Sequence, residues 1–159
     1  MHSGLPTGAR QKRHTLVKQG KGIGMLTIIP LMIVPLIFYN ALIFGFLGSS
    51  GVAALTSDIF SVQMISGAQW SMDLGDTVIV TALVLLFFEV LKSTRTGSWS
   101  VVDHMLSAFV FIAFLIEFLL VADAATDIFF VLTVIALVDL VAGFSVSIKS
   151  AGRDVSIGL

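Results

Sequence analysis

Residues 76–121 read DTVIVTALVLLFFEVLKSTRTGSWSVVDHMLSAFVFIAFLIEFLLV. Two apolar runs, each close to the roughly 20 residues that a helix needs to cross a bilayer, flank the polar link Lys92-Ser93-Thr94-Arg95-Thr96-Gly97-Ser98. Within the runs stand groups that hydrocarbon rejects: Glu89 near the end of the first, Asp103 and His104 near the start of the second, and Glu117 further on. Asp139 sits in a later run. An acid at mid-membrane costs roughly 2.5–3.5 kcal/mol on insertion scales, so each of these groups needs a physical reason for its place.

The composition puts the whole chain in the same setting. Of its 159 residues 57% are hydrophobic and 12% charged, with mean hydropathy +1.03. Soluble domains carry about 25% charged residues, so the chain belongs to the membrane class. It has no cysteine, which excludes disulfides, thiolate metal ligation and thiol catalysis.

Outward from this stretch, residues 1–21 form a basic tail with Arg10, Lys12, Arg13, Lys18 and Lys21 and no acid, read as a cytoplasmic segment that sets topology. The apolar run that follows is too long for a signal-peptide core and is expected to be retained. Four spans are expected, at about 22–47, 74–91, 100–122 and 126–148, closed by a polar tail over 149–159. Pro30 and Pro35 fall in the first span. Each is expected to free the carbonyl four residues back, at Leu26 and Leu31, and to bend the helix. Residues 60–73 alternate polar and apolar around Ser66-Gly67, which reads as a β-hairpin with a two-residue link. Its apolar face, Val62, Met64, Trp70 and Met72, is expected to rest on the helix ends or the bilayer surface. Trp70 and Trp99 are the expected membrane-interface anchors. The connection over 123–127 is so short that the third and fourth spans must be antiparallel neighbours.

All nine Lys and Arg lie in the two tails or the link at 92–95, while the opposite connections carry Asp58, Asp73, Asp123 and Asp127 and no base. The positive-inside rule then predicts an all-α membrane protein with four transmembrane helices, both termini cytoplasmic, and an extracytoplasmic β-hairpin between helices 1 and 2.

At 100° per residue, Asp103, Ser107, Phe114 and Glu117 share one face of the third helix. Thr77, Thr81, Leu85 and Glu89 form a stripe on the second, and Ala136, Asp139 and Gly143 line a small-residue side of the fourth. Three roles fit the ionisable groups. In a proton or small-cation pathway, low dielectric favours the neutral carboxyl, so Asp139 and Glu117 exchange protons while Glu89, Asp103 and His104 form the inner mouth. In a structural role, Asp103 caps its own helix, Glu89 pairs with Lys92, and Asp139, with no cation at its depth, hydrogen-bonds a neighbouring helix. In a metal site, Glu89, Asp103 and His104 are weak ligand candidates, since adjacent Asp103 and His104 point about 100° apart. No phosphate loop, nucleophile elbow, zinc-protease pair, cofactor motif or nucleic-acid module occurs. Neither an enzyme activity, a cofactor nor a nucleic-acid partner is expected.

Phe88-Glu89-Val90-Leu91-Lys92, Val102-Asp103-His104, Ile116-Glu117-Phe118-Leu119-Leu120-Val121, Ala136-Leu137-Val138-Asp139 and Ala142-Gly143-Phe144, with the Ser66-Gly67 hairpin and Trp70, together resemble a group of uncharacterised four-span bacterial inner-membrane proteins. The resemblance covers roughly residues 60–148. It implies a bacterial inner membrane and the same layout, and it implies no activity. A bundle this small leaves polar residues short of partners, so a homo-oligomer or a larger membrane complex is expected. The functional expectation is a proton or small-cation pathway; the alternative is a non-catalytic accessory or scaffold protein whose polar groups lock helix interfaces.

Overall fold

The computed structural model describes residues 29–46, 48, 51–94 and 100–156. In chain order these form α1 (Ile33–Ile43), a 3-10 turn (Gly51–Thr56), β1 (Asp58–Gln63), β2 (Gln69–Asp73), α2 (Leu74–Ser93), α3 (Ser100–Leu120), a second 3-10 turn (Ala122–Ala124) and α4 (Asp127–Ser156). Helices α2, α3 and α4 are each long and apolar enough to cross a membrane, which makes this a multi-pass membrane protein. The 11 residues of α1 extend about 16 Å, roughly half the hydrocarbon thickness. The start of the expected first span, the tail at 1–21 and Trp99 lie outside the described residues.

The hub is α4. It packs along both α2 and α3, while α1 leans on α2 and α4. Phe129, Leu132, Ala136, Asp139 and Gly143 recur at helical spacing on its buried side. At the centre Tyr39, Phe114, Phe129 and Leu132 are at most 1% exposed. The Phe129 ring lies 4.7 Å from Tyr39 and 5.4 Å from Phe114, centroid to centroid. Phe87, Phe88, Phe109, Leu119 and Ile148 point outward. Acyl chains solvate such a surface as well as a core would, so close packing rather than water exclusion must hold the helices together.

The inward side of α2 consists of Gly75, Val78, Ala82, Glu89 and Ser93, and Thr81 is exposed. The expected stripe of every fourth residue from Thr77 is therefore not the buried one, because steps of four drift by about 40° each. Steps mixing three and four stay on one face.

The prolines act at the entrance to α1 rather than within it. Pro30 precedes the helix and Pro35 stands in its first turn, where amides have no intrahelical partner. The Leu31 carbonyl is not freed: it accepts from Val34 N at 3.0 Å, and the Pro30 carbonyl accepts from Ile33 N at 3.2 Å. These tight turns leave the Ile29 carbonyl and the Leu31 amide outside the helical ladder. Leu26 lies outside the described residues.

In the hairpin, Phe60 opposes Met72, Ser61 opposes Ser71, Val62 opposes Trp70 and Gln63 opposes Gln69, with a bulge at Ile59. The link has three residues, Ile65-Ser66-Gly67, not two. Gly67 N donates to the Met64 carbonyl at 2.9 Å and Met64 N to the Ala68 carbonyl at 2.8 Å. Gly67 has φ +86°, the left-handed position that closes such a loop and that a Cβ would strain. The strands do not rest on the helix ends; their side chains are mostly exposed. β2 runs straight into α2, where Asp73 Oδ1 accepts from Asp76 N at 2.7 Å and caps the helix.

At its far end α4 continues to Ser156, past the boundary expected at 148. Hydropathy marks where the apolar run stops, whereas the helical backbone continues past it. At the hairpin end, the Tyr39 hydroxyl lies 2.7 Å from Thr126 Oγ1 and donates to the Asp123 carbonyl at 3.1 Å. This ties α1 to the connection between α3 and α4. Tyr39→Phe is expected to lower stability by about 1 kcal/mol, read as an earlier unfolding midpoint in a detergent denaturant titration, because it removes the partly buried hydrogen bonds to Asp123 and Thr126.

Candidate functional site: a charged centre shared by four helices

Lys92, in the last turn of α2, turns back into the bundle. Its Nζ lies 2.6 Å from Glu89 Oε1 and 2.9 Å from Asp103 Oδ1, and it donates to the Ile29 carbonyl at 3.2 Å. The second Glu89 oxygen, Oε2, accepts from the Leu31 amide at 3.0 Å. Both backbone groups released at Pro30 are thus taken up by charged side chains of α2. Irregular backbone at membrane depth needs such partners, since no bulk water is at hand. Glu89 is 3% exposed, and the Lys92 side chain 16%. The Glu89–Lys92 pair expected within one helix is in fact part of a junction of α2 with α3 and the α1 entrance. Asp103, in the first turn of α3, is engaged by Lys92 across the helix interface.

Asp139 enters the same centre from α4. Its carboxyl is within hydrogen-bonding reach of the Ser107 hydroxyl, and close enough to Glu89, Lys92 and Asp103 for their charges to act on it. The expectation that no cation reaches its depth is therefore corrected. Backbone position places Lys92 at the helix end, but its four-carbon stem lets the ammonium lie deeper than its Cα suggests.

His104, next to Asp103, is turned toward α4. It is buried, and its ring lies against Gly143: a Cβ there would stand 2.5 Å from Nδ1 and 2.8 Å from Cε1. The Phe144 ring is 5.9 Å away. Among the described residues no group of three or more His, Asp or Glu is arranged to hold a metal ion. The ammonium of Lys92 stands where a cation shared by Glu89 and Asp103 would.

Glu117 stands apart. It is half-buried, faces Asn40, and lies within electrostatic reach of Tyr39. Its Oε1 is buried with no hydrogen-bond partner among the described residues. Counting from the hairpin ends of α3 and α4 at about 1.5 Å per residue, Glu117 lies about 5 Å in and Asp139 about 18 Å in. Phe114, Phe129 and Leu132 fill the core between these levels. The candidate residues therefore divide: Glu89, Asp103 and Asp139 gather around Lys92 with Ser107, His104 borders them, and Glu117 belongs to the other end. The Ile29 and Leu31 backbone groups escaped sequence reasoning; the spacing of Pro30 and Pro35 was their signal. Trp70 is on the hairpin, 45% exposed.

No protein-family model, curated protein or solved structure matches this chain.

Removing one partner of a buried ion pair strands the other, so Lys92→Met is expected to cost about 3–5 kcal/mol in detergent unfolding, with part recovered when Glu89→Gln is added. Two glycine variants separate rigid from yielding contacts. Gly143→Ala drives a Cβ into the buried His104 ring and is expected to lower the unfolding temperature. Gly75→Ala meets chiefly the Cδ1 end of the Ile128 side chain, which can rotate away, with Asp73 Oδ1 at 3.3 Å, and is expected to lower it less.

Proposed function

We propose that this protein is a four-span protein of the bacterial inner membrane that exchanges protons or small cations at the Glu89–Asp103–Asp139 centre. The observation that carries this reading is the count of charges: three buried carboxylates converge on one ammonium. Fully ionised, the group has an excess of negative charge in a low-dielectric setting. An uncompensated buried charge costs several kcal/mol, which uptake of a proton or a small cation relieves. Asp139 is the exchanging group, since Lys92 sits directly on the other two acids. A helix entrance that offers backbone groups to a charged centre is comparable to the helix ends and unwound backbone with which membrane transporters build ion sites.

The segregation of Lys and Arg supports placing the Lys92 end of the bundle in the cytoplasm and the hairpin outside, with residues 22–47 as the first of four passes. Glu89 then lies about 6 Å from the cytoplasmic end of α2. The Phe114–Phe129–Leu132 layer separates the centre from Glu117, so exchange takes place with the cytoplasmic side, and passage across the membrane requires this layer to move.

One observation favours the scaffold reading: Lys92 has acceptors on three separate segments, which is what a helix lock needs. Flux of protons, sodium and potassium into proteoliposomes, followed with ion-sensitive dyes, separates the two. Under ion exchange, Asp139→Asn abolishes a flux that the wild type shows and leaves its assembly size unchanged. A wild type that conducts none of these ions, with Asp139→Asn disrupting assembly, selects the lock.

A further inference from the structure

The hairpin carries an apolar face that no other part of the described chain covers. Its register puts Phe60, Val62, Trp70 and Met72 on one face and Ser61, Gln63, Gln69 and Ser71 on the other. Phe60 and Trp70 meet edge to face at 5.5 Å. Phe60, Val62, Met64 and Trp70 are each nearly half exposed, and Ile65 at the tip is fully exposed. Residues 59–72 contain no charged side chain. A lone two-stranded hairpin is marginal in water, so a wet apolar face would leave this one without adequate support.

Its attachment says what supports it. Leu74 N donates to the Ser57 carbonyl at 3.0 Å, and Asp73 is both the last residue of β2 and the cap of α2. A strand that becomes a membrane-crossing helix with no linker begins at headgroup depth. Its apolar face is then continuous with the lipid-facing belt of α2, which starts at Val80, Leu83 and Val84. Trp70 belongs at this depth, where an amphipathic ring is most stable.

We infer that the hairpin lies on the membrane surface as a lipid-contacting paddle, with Phe60, Val62, Trp70 and Met72 in the headgroup–acyl boundary and the Ser and Gln side chains in water. Interfacial water satisfies the free strand edges. The surface it fits is that of zwitterionic phospholipid. The paddle has no cation to recruit anionic headgroups, and Asp58, Asp73 and Asp76 at its base repel them. Contact therefore rests on apolar area and not on charge.

The tryptophans are Trp70 and Trp99, so Trp99→Phe leaves Trp70 as the reporter. This variant is reconstituted in phosphatidylcholine vesicles brominated either near the headgroup or near the chain ends. The expected result is blue-shifted emission, lost mainly to the shallow bromines, little affected by aqueous acrylamide, and unchanged by salt or added phosphatidylglycerol. Should Trp99→Phe fail to fold, the difference between wild type and Trp70→Phe isolates the same signal. Red-shifted emission quenched by acrylamide and not by bromolipid overturns the inference. Shielding from both quenchers that disappears when the protein is diluted in lipid overturns it too, and assigns the face to a second copy.

Discussion

The buried ammonium of Lys92 is the constraint on which the arrangement at its end of the bundle depends. Taking a charge out of water costs several kcal/mol even after relaxation, and the cost is offset only when every hydrogen of the ion finds a partner. Lys92 has three acceptors, two of them carboxylates. Meeting that demand dictates the backbone nearby. A continuous helix through Pro30 would have used the Ile29 carbonyl and the Leu31 amide in its own ladder, leaving Lys92 and Glu89 each one partner short. The proline at the entrance to α1 and the charges that take up the backbone groups beside it are thus one feature.

The rest of the packing follows from α4. Small residues let it approach its neighbours: Ala136 is buried at the level of the aromatic core, and Gly143 leaves a notch that the His104 ring fills. With Asp103 turned to α2 and His104 to α4, two adjacent residues of α3 tie it to two different helices, the divergence that a 100° step between neighbours produces. At the other end Tyr39 does the equivalent for α1 by engaging Asp123 and Thr126. Polar contacts thus tie the helices at the hairpin end and, from Lys92 inward to Asp139 and Ser107, on the other side of the aromatic core.

Much of this was legible because hydropathy and alternation are local signals. The runs over 74–91, 100–122 and 126–148 became α2, α3 and α4, and Ser66-Gly67 marked the hairpin turn. The misses share a cause, since each depends on something other than sequence spacing. Apolar Ile65 continued the strand pattern and hid the third loop residue. The prolines read as interruptions inside a helix, whereas the partners that take up the Leu31 amide and the Ile29 carbonyl, Glu89 and Lys92, come from far along the chain. Asp139 seemed to lack a cation because the depth of Lys92 was judged from its backbone, and a long flexible stem separates the ammonium from it. A capping rule sees one helix, so the reach of Lys92 to Asp103 on the next lies beyond it.

A lock and an ion-exchange centre are not exclusive, since one set of charges can serve both, and the distinction lies in the surplus. A lock is complete when donors and acceptors match, and the Glu89–Lys92–Asp103 set with the α1 entrance already achieves that. Asp139 adds a third carboxyl that this lock does not require, on the helix that packs along both α2 and α3. A purely structural role for it would be served at lower desolvation cost by an uncharged hydrogen-bonding side chain facing Ser107. The surplus acid, placed where a gain or loss of charge would be felt by Lys92 and both its partners, is the part of the molecule that packing alone does not account for.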